Sequence, residues 1–195
     1  LVLASFAFGI FLPFIKEDLN LSALEVGILQ GVWWITWAVT ILPFSMWFSK
    51  FRPATIVAVS LALLIPFVFM QGISTNFLML LASRFLIVLF YSVGVPSRPL
   101  LFQQWAAPRQ FASINAMGLS LHSLIMALAV SATPLLIGAF GSWRAAYFLQ
   151  AGLMLIHLLV WMVVARDSKA AIPDIDGLSK YRQKLPFGAI LRYRH

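Results

Sequence analysis

The fold class this chain predicts is all-α: a polytopic membrane protein built as a six-transmembrane-helix bundle. Three observations predict it. Of 195 residues, 62% are hydrophobic and only 10% are charged, which is far from the composition of a soluble domain. The apolar residues come in runs of about twenty, the length that crosses the hydrocarbon core of a bilayer. Arg84 stands inside one such run, where a guanidinium in hydrocarbon costs at least about 2.5–3.5 kcal/mol. It must therefore face a protein interior or a watery cavity, which makes it the expected centre of a polar pathway through a helical bundle.

The net charge is +8, but half of the fourteen Lys and Arg lie after residue 165, beyond the last apolar segment. A basic flank beside a membrane helix is the positive-inside signal, so the expected partner is a lipid bilayer and no nucleic acid. The chain has no cysteine, which excludes disulfides and thiolate metal sites. No cofactor or metal is expected.

The first segment covers about Leu1 to Phe14. It is too short to span comfortably and has no basic start or small-residue cleavage site of a signal peptide. We read it as a truncated first helix, and the whole as part of a longer protein. Ser22 opens the second segment with Glu25 three residues on, a capping box. This segment runs to about Phe48, with Gly27 and Gly31 at a spacing that permits close helix approach and Pro43 expected to kink it. Pro53 starts the third, about Ala54 to Gln71. The fourth covers about Phe77 to Val95, and Pro96 and Pro99 are expected to break it. Residues 100–109 form an amphipathic connector. The fifth spans about Phe111 to Ile137 with an expected interruption at Pro134, and Ser142 caps the sixth, which ends near Arg166. Residues 1–166 thus form the expected bundle and 167–195 a polar, basic linker.

Charge sets the orientation. Lys50, Arg52, Arg98, Arg109 and the seven basic residues from Arg166 onward lie on alternate loops of one side, whereas the other has Lys16, Arg144, Glu17, Asp18 and Glu25. The side with eleven cations is cytoplasmic. Helix one then runs outward and the linker lies inside.

Arg84 is followed twelve residues later by Pro96, and Trp105-Ala106-Ala107-Pro108-Arg109 comes next. Asn115-Ala116-Met117-Gly118 opens the fifth segment, and Gly141-Ser142-Trp143-Arg144 turns into the sixth. In this pattern the chain resembles the N-terminal six-helix half of a major facilitator superfamily transporter. That family carries an Arg, spaced glycines and a Pro in its fourth helix; Val88 and Phe90 stand where the glycines usually are. Of its Gly-Asp-Arg-Gly signature between helices two and three, only basicity survives, in Lys50 and Arg52. The resemblance implies half of a twelve-helix fold and a missing C-terminal six-helix half. It also implies alternating access around a midplane site, in a membrane protein of the bacterial inner (plasma) membrane. Lys50, Arg52, Arg109, Pro96 and Arg144 are the gating or loop positions it implies.

The expected function is secondary transport of a small-molecule substrate, an organic anion being one candidate. Arg84 either contacts such an anion or braces a neighbouring helix through backbone carbonyls, and the brace is preferred. Gln30, Trp34 and Trp37 share a helix with Trp33 and are candidate cavity residues, although large aromatics more often pack or sit at the interface. Tyr91 and Asn115 are candidate donors, with interhelical hydrogen bonding the alternative. His122 is a candidate titratable group; for it and for His157 a buried, neutral imidazole is the preferred reading. Arg98 and Arg109 are expected only to mark the cytoplasmic face.

All six acids fall outside the expected hydrocarbon core. A proton-coupling carboxylate would then lie in the other half, or His122 would serve, or the carrier is a uniporter or anion exchanger. No Walker A loop supports ATP-driven pumping. A non-transporting scaffold or sensor is the competing class. An intramembrane hydrolase using Ser120 or Ser123 is disfavoured, because residues one or two positions from His122 do not share its helix face.

Overall fold

The computed structural model describes residues 2–48, 51–105 and 108–165. Among them the regular structure is entirely helical: α1 (Val2–Asp18), α2 (Ala23–Phe48), α3 (Pro53–Gly72), α4 (Phe77–Gly94), α5 (Ser97–Trp105), α6 (Phe111–Phe140) and α7 (Trp143–Val164). A 3₁₀ turn at Pro108–Gln110 leads into α6. Five stretches are long and apolar enough to cross a membrane, with α4 and α5 joined as one span, Phe77–Phe102. The expected linker at 167–195 lies outside the described residues.

Local chemistry sets the helix ends. The Glu25 carboxylate accepts from the Ser22 amide at 2.8 Å, and the Ser22 hydroxyl accepts from the Glu25 amide at 3.3 Å, completing the expected capping box. Asn76 Oδ1 accepts from the Met79 amide at 2.9 Å and starts α4. Ser142 Oγ accepts from the Arg144 amide at 3.2 Å and starts α7. Gly141, at φ 65°, ends α6 in the left-handed conformation that glycine adopts freely.

Pro96 ends α4 at Gly94 as expected, whereas Pro99 and Pro134 are better tolerated than the sequence suggests. Val95 keeps right-handed helical angles, and the chain resumes as helix at Ser97. Pro99 falls in the first turn of α5, where its missing N–H had no intrahelical partner to lose. Pro134 does not interrupt α6, which runs through to Phe140. Just before it, Thr133 Oγ1 donates to the Ala129 carbonyl at 2.8 Å, one of the local adjustments that accommodate proline in membrane helices.

Packing runs mainly between α1, α2 and α3 on one side and α4, α6 and α7 on the other. α3 lies centrally against α4 and α7, α2 packs on α4, and α1 packs on α6 and α7. The core is filled by Phe8, Phe11 and Ile15 of α1, Leu29 and Trp33 of α2, Leu61, Leu64 and Val68 of α3, Leu80, Ile87 and Val88 of α4, and Tyr147 and Met154 of α7. α2 and α6 bury little, leaving Leu24, Val39, Leu42, Met117, Leu121 and Leu128 exposed. Helices that are apolar all round suit a lipid environment or further helix contacts.

Close helix approach occurs at glycines other than the expected pair. A Cβ on Gly27 or Gly31 would meet nothing within 4 Å. Both glycines line an open apolar groove of about 890 Å³ between α2 and α4, together with Leu78, Ala82 and Phe85. The tight contacts are at Gly94, where a Cβ would sit 2.7 Å from Ser60 Oγ, and at Gly72, 2.8 Å from the Phe148 ring. These bring α3 against α4 and α7.

Candidate functional site

Arg84 is only 2% exposed, on the inward face of α4 beside the fully buried Ser83. Its Nε donates to the Leu29 carbonyl of α2 at 2.9 Å. A helical carbonyl has two lone pairs, so Leu29 can accept this bond without giving up its place in the helix ladder. The guanidinium carbon lies 3.5 Å from the centroid of the Phe8 ring of α1 and 5.2 Å from that of Trp33. Desolvated cation–π contacts of this kind stabilise by about 2 kcal/mol or more, comparable to the insertion cost of the charge. Arg84 therefore ties α4 to α2 and α1, with no acid in contact among the described residues.

The core also holds buried polar residues that sequence reading missed. Gln71 and Tyr147 are fully buried. Tyr147 packs on Phe11, with ring centroids 5.5 Å apart, and on Trp143 at 5.9 Å. Arg84 Nη1, Tyr147 OH and the Gln71 amide have no hydrogen bond of good geometry among the described residues. A signal for Gln71 did exist, as it did for Gln150 of α7: each is a polar side chain inside an apolar run, the same mark that singled out Arg84. For Phe8 and Tyr147 there was none, because nothing along the chain reveals which rings meet a given guanidinium.

The other expected site residues scatter. The indoles of α2 do not form one surface: Trp33 is buried, Trp37 is half-buried against the core, and Trp34 is 61% exposed. Helical geometry explains this: 33 and 34 are successive and point about 100° apart, and 37 falls between them. Gln30 is half-buried. Tyr91, also half-buried, packs its ring on Trp33 with centroids 5.7 Å apart. Asn115 is exposed and His122 half-buried on α6. His157 is not the buried imidazole expected; it is exposed on α7, edge-on to Trp161. Ser123 donates to the Leu119 carbonyl at 3.1 Å and makes no pair with His122.

At the loop positions, Arg144 is the best connected. It bonds Asp18 at 2.6 Å, donates to the Ser74 carbonyl at 3.2 Å and stacks over Trp143. One side chain thus joins the end of α1, the α3–α4 turn and the start of α7. Arg52 is exposed at the start of α3, Arg109 is exposed in the 3₁₀ turn, and Pro96 is buried at the α4–α5 junction. Lys50 lies outside the described residues. At the opposite end from Arg144, Trp161 Nε1 donates to the Ala54 carbonyl at 3.0 Å, closing α7 onto α3.

The helix pairing and the Arg–Pro spacing of the fourth span agree with a comparison across the whole chain. The sequence profile of the Major Facilitator Superfamily matches residues 1–194. The chain belongs to this family. It is an integral membrane protein, in keeping with five stretches long and apolar enough to span a bilayer. A phosphoglycerate transporter protein of Salmonella typhimurium is 25% identical over 177 residues, covering 89% of this chain and 37% of the relative. The chain thus spans little more than a third of the length of that curated relative.

Proposed function

We propose that this chain is the N-terminal six-helix half of a secondary carrier that moves a small organic anion across a bacterial inner membrane by alternating access. Residues 50–52, 98–109 and 167–195 lie on the cytoplasmic side, and a second six-helix half follows. The observation that carries this reading is the superfamily match along the whole chain. Support for an anion comes from the phosphoglycerate transporter relative and from the balance of charge, since no carboxylate faces Arg84 or Arg98 among the described residues.

In this reading Arg84 is a brace. Its hydrogen bond to Leu29 and its seat on Phe8 hold α1, α2 and α4 as one rigid unit, which is what a half that rocks as a body needs. The fully buried position leaves little of the guanidinium for a solute.

The test is counterflow uptake of radiolabelled phosphoglycerate by the full-length protein in liposomes. Saturable uptake that unlabelled phosphoglycerate competes away is expected. Uptake no faster than in protein-free liposomes, for phosphoglycerate and for a panel of other small organic anions, would favour the scaffold or sensor reading.

A further inference from the structure

We propose that Arg98, with Tyr91 and the Asn115–Gly118–His122 face of α6, forms an oxyanion-binding subsite for a carboxylate or phosphate group at the cytoplasmic end of the bundle. It rests on the transporter reading for its purpose and deepens it by naming the group that is held.

Arg98 was expected only to mark a membrane face. Instead it is half-buried where α4 passes into α5, and its guanidinium has no carboxylate partner among the described residues. The other described arginines are committed or fully open. Arg84 is sealed in the core, Arg144 is paired with Asp18, and Arg52 and Arg109 are exposed at loops. Arg98 alone among them is partly enclosed, cationic and unneutralised.

Its surroundings hold it in place. The guanidinium carbon lies 5.7 Å from the Phe102 ring centroid. Its Nη2 lies 2.9 Å from where a Cβ on Gly118 would be, so the absence of a side chain there makes room for the fork. Tyr91 stands about two helical turns before it on the same span, Phe77–Phe102. On α6, Asn115 stands one turn before Gly118 and His122 one turn after it, so all three share the face on which the guanidinium rests. A planar fork with an amide, an imidazole and a phenol nearby is a donor set suited to an oxyanion, which arginine can take bidentately.

The test uses purified full-length protein titrated with inorganic phosphate by calorimetry, alongside phosphoglycerate uptake in liposomes. Arg98→Gln should weaken phosphate binding by roughly tenfold or more, the scale of losing a charge-assisted hydrogen bond. Gly118→Ala keeps every charge but pushes a flexible side-chain end aside, so it should fold and still weaken binding severalfold. Lys169→Gln, which removes a cation from the linker sequence, should leave binding unchanged. Unaltered phosphate affinity in Gly118→Ala and in folded Arg98→Gln would overturn the subsite, as would an equal loss in Lys169→Gln or no phosphate binding by the wild type. Phosphate binding that depends on Arg98 without any phosphoglycerate uptake would uphold the subsite and count against the transport reading instead.

Discussion

Arg84 and Leu29, 55 residues apart, are joined by a 2.9 Å hydrogen bond from a guanidinium Nε to a helix carbonyl inside the bundle. The bond uses a backbone acceptor, so it constrains where α2 lies without depending on which side chain occupies position 29. Leu29→Ala should keep the bond, while creating a cavity that costs about 2–5 kcal/mol. Thermal unfolding of the full-length protein measures that loss. If the bond is kept, adding Arg84→Gln should cost nearly as much in the Leu29→Ala background as alone, and strong non-additivity would show that the side chain at 29 matters to the contact.

The glycines give a sharp contrast. Gly94→Ala places a Cβ 2.7 Å from Ser60 Oγ, and such overpacking costs about 1–3 kcal/mol. Ser60→Gly removes both clashing atoms and should recover most of the loss in the double variant. Gly31→Ala meets nothing within 4 Å and should change stability by less than about 0.5 kcal/mol. A large loss in Gly31→Ala would show that another helix closes on this groove in the full-length protein.

The ion pair between Arg144 and Asp18 is partly exposed, with side chains 30% and 42% accessible. Solvent screening limits such a pair to about 0–1 kcal/mol. A double-mutant cycle of Arg144→Gln with Asp18→Asn should return a coupling energy in that range. The single Arg144→Gln should cost more than Asp18→Asn, because it also removes the bond to Ser74.

Orientation can be read directly, since the chain has no cysteine to remove. Ser49→Cys should react with a membrane-impermeant maleimide only from the cytoplasmic side. Thr75→Cys, at an exposed turn, should react only from outside. Labelling of both from outside would overturn the orientation proposed from the eleven basic residues.

The spans were legible in the sequence because twenty-residue apolar runs, the Ser22–Glu25 box and the Ser142 cap are local signals. Arg84 was legible as a centre because its charge is expensive wherever it is not enclosed. Its partners were not, since Phe8 and Tyr147 are ordinary aromatic residues until two distant helices bring them together. The Gly27–Gly31 spacing misled for a related reason: it permits close approach but cannot say which helix, if any, approaches. Arg98 looked like a loop marker because sequence shows neither the glycine it rests on nor the ring beside it.

The most direct test of the account compares equilibrium substrate binding with transport in Arg84→Lys and Arg84→Gln of the full-length carrier. Both variants disturb the fork that meets Leu29 and Phe8, and lysine keeps the charge while losing the planar geometry. As a brace, Arg84 predicts that both variants insert in the membrane and bind phosphoglycerate within about threefold of wild type, a change under 1 kcal/mol. It also predicts that both lose most of their uptake. Binding that falls in step with uptake, further in Gln than in Lys, would instead make Arg84 a substrate contact, and full uptake in Arg84→Gln would contradict both roles.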